Sequence, residues 1–95
     1  MNLRDVRDLV LESARAVGEP VSRDHVQVLE EGAAEPAESL IVRFEARRPR
    51  DRMAWAARRV QLIQAIRDRL VERGDLRYPI LEVFSPEEWD QRKDV

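Results

Sequence analysis

The chain has 95 residues, a formal net charge of −2 and no cysteine. That length suits one small domain with one modest core, and the missing cysteines exclude disulfide staples and thiolate chemistry. No stretch approaches the ~18 consecutive apolar residues of a membrane span, and "MNLRDVRDL" has no apolar signal-peptide core. The expectation is a single small α/β two-layer domain over residues 1–95, cytoplasmic and not engaged with a membrane.

Leu3 to Val17 reads as the first helix. Leu3, Val6, Leu9, Val10, Ala14 and Val17 form one apolar stripe at 3–4 spacing. Asn2 can cap its start, Gly18 can close its end and Pro20 prevents it from resuming. "VSRDHVQVLEEG" is a weaker strand, with Val26 and Val28 on one face and His25, Gln27 and Leu29 on the other. "EEGAAEPAES", holding Gly32 and Pro36, is a loop or wide turn. "SLIVRFEAR" alternates most clearly. Leu40, Val42, Phe44 and Ala46 line one face, and Ile41, Arg43, Glu45 and Arg47 line the other.

Pro49 ends that strand, and a long helix runs from about Arg50 or Asp51 to Arg73. Its expected buried stripe is Met53, Ala56, Ala57, Val60, Ile63, Ala65, Ile66 and Leu70, with Trp55 and Leu62 at the margins. Gly74 follows its last turn. "YPILEVF" is a third strand, with Pro79 near its start. Ser85-Pro86-Glu87-Glu88 then reads as N-cap, N1, N2 and N3 of a capping box, opening a short helix through Trp89.

The fold expected from this order is α+β, a two-layer sandwich of order α-β-β-α-β-α. Its three-stranded mixed sheet carries helices on one face. Leu40, Val42 and Phe44 would pack against Val60, Ile63 and Ile66. The second and third strands, joined through the long helix, should be parallel if adjacent. A three-stranded sheet leaves two edges, and an edge invites a partner protein or a second copy of the chain.

The charge is uneven: −5 over residues 1–39, +6 over 40–73 and −3 over 74–95. Arg43, Arg47, Arg48, Arg50, Arg52, Arg58 and Arg59 crowd the junction between the central strand and the long helix. Arginine forks suit phosphate and carboxylate, and amides at a helix start favour an anion. This cluster is the candidate binding site, for nucleic acid or for an acidic protein; a solvated face explains it as well. Interleaved aromatics of the kind that stack bases are missing.

Other chemistry is sparse. His25, next to Asp24, could act as a general base or simply lie exposed on a strand face. One histidine and no cysteine leave zinc almost without ligands. No metal site and no cofactor is expected.

"LRYPILEVFSPEEWDQ" and "SLIVRFEA" resemble the last core strand and the central strand of the minimal nucleotidyltransferase domain. This is the small stand-alone kind often paired with a second small protein in bacterial toxin-antitoxin modules. The resemblance implies a magnesium-dependent site with acids near Glu38, Glu45 and Glu82. The chain departs from that family's motif. Gly32 is followed by Ala33 rather than serine, and Ser39 and Leu40 stand where a second acid belongs. The resemblance therefore implies a catalytically inactive relative kept for binding. The leading expectation is a non-enzymatic protein-interaction or regulatory module. A nucleic-acid-binding accessory protein and a divergent magnesium-dependent nucleotidyltransferase are the alternatives.

Overall fold

The computed structural model describes residues 1–19, 21–32, 38–46 and 51–93. The expectations for Pro20, Pro36 and Pro49, for the remainder of residues 33–37, and for a helix start at Arg50 lie outside them. The elements are α1 (Leu3–Ala16), a single 3-10 turn (Arg23–His25), β1 (Val26–Glu31), β2 (Ser39–Glu45), α2 (Arg52–Glu72), β3 (Tyr78–Phe84) and α3 (Pro86–Lys93). The architecture is α+β with a three-stranded mixed sheet, in the expected element order.

The helix boundaries follow from local chemistry. The Asn2 side chain accepts the Asp5 N–H at 2.8 Å at the start of α1. Asp51 does the same for Met53 and Ala54 at the start of α2. Each uses a carbonyl or carboxylate oxygen to satisfy amides that a helix start leaves unpaired. Gly18 and Gly74 follow the two C-terminal turns with φ of 80° and 77°, the left-handed conformation that an L side chain resists. At α3, Ser85 Oγ accepts the Glu88 N–H at 3.2 Å, and the Glu88 carboxylate accepts the Ser85 N–H at 3.0 Å. That is the reciprocal capping box read from the sequence. The helix then continues to Lys93, a turn beyond the expected end at Trp89.

The sheet order is β1-β2-β3. β1 runs antiparallel to β2, pairing Val26 with Phe44 and Val28 with Val42. β2 and β3 are parallel, pairing Leu40 with Pro79, Val42 with Leu81 and Arg43 with Glu82. Alternation then sorts the side chains by face. Val26, Val28, Leu40, Val42, Phe44 and Leu81 face α1 and α2 and form the core with Val6, Leu9, Val10, Ala14, Leu62, Ile66 and Leu70. Full burial of such a side chain contributes about 1.5–3 kcal/mol. Ser13 also lies on the buried stripe of α1, where its hydroxyl donates to the Leu9 carbonyl at 2.8 Å and so enters the core without an unsatisfied polar group.

The orientation of α2 corrects the expected stripe. Leu62, Ile66 and Leu70 are buried, and Trp55 and Ile63, partly buried, pack against the core. Met53, Ala56, Ala57 and Val60 face outward, with Met53 and Val60 83% and 65% exposed. Val60 therefore does not meet β2. At 100° per residue, Met53 and Val60 lie within about 20° of each other, and Leu62 lies on the opposite side. The helix carries two apolar stripes, and contact with α1 and the sheet selects the one centred on Leu62 and Ile66.

The other sheet face holds Gln27, Leu29, Ile41, Arg43, Ile80, Glu82 and Phe84. Its C-terminal end is closed by α3. Trp89, 1% exposed, packs edge-on against Phe84 and His25 with ring centroids 6.0 and 6.2 Å apart. Edge-to-face contacts of this kind add about 0.5–1.5 kcal/mol to the burial itself.

Candidate functional site

The fold places the described arginines in separate surroundings. Arg43 projects from the sheet face opposite α1 and α2, where its Nε donates to Glu82 Oε2 at 2.8 Å. Arg58 reaches back to the end of α1 and donates to the Gly18 carbonyl at 3.2 Å and to Glu19 Oε2 at 2.8 Å. Arg59 reaches the outer side of β3, donating to the Leu81 carbonyl at 2.8 Å. Arg52 is exposed in the first turn of α2, and the amides there are already held by Asp51. Arg47, Arg48 and Arg50 lie outside the described residues. Arg43 and Arg59 thus both brace β3, at the Glu82 side chain and the Leu81 carbonyl, while Arg58 braces the end of α1.

The three acids implied by the resemblance are also apart. Glu38 and Glu45 flank opposite ends of β2, seven residues and roughly 23 Å of strand rise from each other. Glu82 is paired with Arg43. Glu45 lies 3.3 Å from His25 Nε2, and Ser22 Oγ lies 3.1 Å from Nδ1 of the same ring. His25 therefore engages Glu45 across the strands, not its sequence neighbour Asp24. Among the described residues no three of His, Cys, Asp and Glu are grouped to hold a metal ion. Carboxylates this far apart, one of them already held by Arg43, do not fit a magnesium ion, which needs several oxygens on one octahedral shell.

A buried ionic junction lies at the other end of the sheet. Arg77 Nε donates to Asp75 Oδ1 at 3.0 Å and Nη2 to Oδ2 at 2.6 Å, a two-pronged fork. Nη1 donates to Glu30 at 3.1 Å and Nη2 to the Met1 carbonyl at 2.8 Å. The Asp75 and Arg77 side chains are only 5% and 11% exposed. The Arg77 fork holds the Asp75 carboxyl below its ordinary range against the opposing effect of burial, and Asp75 raises the Arg77 guanidinium in turn. Met1, Glu30, Glu38, Leu76 and this pair line an open cleft of about 630 Å³. Sequence spacing offers one signal for the pair, since Asp75 and Arg77 flank a turn at i and i+2.

The two sheet edges differ. The Tyr78 N–H bonds to the Glu38 carbonyl at 3.0 Å, so Tyr78 and Ile80 direct their main-chain groups toward β2. Pro79 and Leu81 direct theirs outward. Proline offers no N–H there, and the Leu81 carbonyl is taken by Arg59. Arg67 also lies 5.6 Å over the Tyr78 ring. These features blunt the β3 edge against strand pairing. The outer side of β1 pairs with no strand among the described residues. Beside it runs a groove of about 330 Å³, lined by Leu3, Arg4, Arg7, Val26, Gln27 and Val28. Neither Arg4 nor Arg7 has a carboxylate partner among the described residues, and Arg7 Nε is buried without a hydrogen-bond acceptor. Arginine density in the sequence marks the junction after β2; these two arginines lie in α1, where three arginines are balanced by Asp5, Asp8 and Glu12.

Comparison with protein-family models, with curated proteins and with solved structures returns no match.

Proposed function

We propose that this domain is a non-enzymatic protein-interaction module that binds by adding an extended segment to the β1 edge. The asymmetry of the edges carries the reading. β3 is blunted by Pro79 and Arg59, whereas β1, unpaired on its outer side among the described residues, runs along a groove whose two arginines have no carboxylate partner among them. An added strand would satisfy main-chain groups on the outer side of β1, and Arg4 and Arg7 would favour acidic side chains on it. The dispersal of Glu38, Glu45 and Glu82 supports binding over nucleotidyl transfer. It accords with the inactive relative that the family resemblance implies. The separate engagements of Arg43, Arg58 and Arg59 weigh against one continuous phosphate-binding surface.

The test is photo-crosslinking in cells. A photoreactive residue at Gln27, on the groove, is expected to give a discrete protein adduct. The same residue at Gln61, exposed on α2, is expected to give none. Adducts of equal yield from both positions, or from neither, overturn the assignment of β1.

A further inference from the structure

We infer that the segment added to β1 is the β1 strand of a second copy, giving a two-fold dimer with a continuous six-stranded sheet. The inference rests on the proposed use of the β1 edge and names its occupant. The argument is the charge order along that edge. The N-terminal half of β1, Val26 to Val28, borders the groove with Arg4 and Arg7. The C-terminal half carries Glu30 and Glu31, both exposed. Antiparallel pairing about a two-fold axis sets the first half of one strand against the second half of the other, so the edge is complementary to itself.

Register sharpens the match. Directly opposed residues in an antiparallel pair point to the same face, and a two-fold axis normal to the sheet keeps Val26 and Val28 of both copies on one face, so opposed residues must be an even number of positions apart. The axis must then pass through a residue. At Val28 it places Glu30 of the second copy opposite Val26; at Leu29 it places that Glu30 opposite Val28. Glu30 shares its sheet face with Val26 and Val28, the face on which α1 lies. In both registers it comes beside the arginine groove, where it would supply the acceptor that Arg7 Nε lacks. Its present partner, Arg77 Nη1, engages only Oε1, leaving Oε2 for the contact.

Sedimentation of the full chain at about 100 µM tests the dimer, with hydrogen exchange at about 1 and about 100 µM locating it. The expected mass is twice the 11.1 kDa of the chain, with β1 amides protected only at the higher concentration. Arg4→Glu with Arg7→Glu should weaken association at least about tenfold by setting like charges across the edge. Adding Glu30→Arg to that pair should restore it. The exchange comparison uses the unaltered chain, so it decides the matter even if a variant fails to fold. A monomer at every concentration overturns self-pairing. In that case a Gln27 adduct with a different protein would leave the β1 edge reading standing, and no Gln27 adduct would remove both. A dimer whose new protection falls on the outward stripe of α2, Met53 to Val60, also overturns the inference.

Discussion

Replacing Arg77 by methionine removes the guanidinium from Asp75 while keeping most of the apolar stem. The Asp75 carboxylate, 5% exposed, would retain the Arg77 main-chain N–H at 3.1 Å as its hydrogen bond from this residue and lose both prongs of the guanidinium. Breaking one side of a buried pair costs about 3–5 kcal/mol where the remaining charge is left uncompensated; here the Met1 amino group stays 3.8 Å from Asp75 Oδ2. The cleft beside the pair admits solvent, and the loss should fall near the lower figure. A loss of about 3 kcal/mol is a large share of the ~5–15 kcal/mol available to a domain of this size, and should lower Tm by roughly 12–24 °C. The pH dependence identifies the cause. Arg77 holds the folded Asp75 carboxyl below its ordinary value of 3.8. Its contribution is complete above that value and is lost as pH falls through the lower folded value. The assay is urea unfolding of both proteins at about pH 7 and about pH 3. The gap between them should narrow at the lower pH, where the variant's carboxyl is protonated. A gap under about 1 kcal/mol, equal at both values, would refute the reasoning and make the junction a solvated surface pair.

Leu62→Ala should cost about 2–5 kcal/mol in equilibrium unfolding and Val60→Ala no more than about 0.5 kcal/mol, two residues apart on one helix; equal losses would reverse the orientation of α2. Ser85→Ala should remove about 1 kcal/mol from the α3 cap, seen as faster amide exchange in Pro86–Lys93, with β2 unchanged. Calorimetric titration with magnesium and a nucleoside triphosphate should show no saturable site tighter than about 1 mM, and Glu82→Gln should leave the trace unchanged. Single-stranded DNA should bind only weakly by fluorescence anisotropy, with binding lost between about 50 and about 150 mM salt; persistent binding at the higher salt would return the Arg43–Arg59 stretch to the leading role.

Signals that act within a few residues were legible before any fold was known. The Ser85–Glu88 capping box, the Asn2 cap and the glycines after both long helices depend only on amides and carbonyls one turn away. Alternation in "SLIVRFEA" fixes which side chains share a face, because a strand turns each residue half a revolution from the last. The connection through a helix leads to parallel β2 and β3 for a similar reason, since it returns the chain to the same end of the sheet. Contacts between distant residues required tertiary structure. Periodicity shows that α2 has apolar stripes, but packing against α1 and the sheet determines that Leu62 is inside and Met53 outside. Seven arginines within 17 positions suggest a patch; the turn of the strand and the winding of the helix send Arg43, Arg58 and Arg59 to separate partners. Strand order makes β1 an edge and puts Arg4 and Arg7 beside it, a juxtaposition across 19 to 24 residues of chain that no local pattern records.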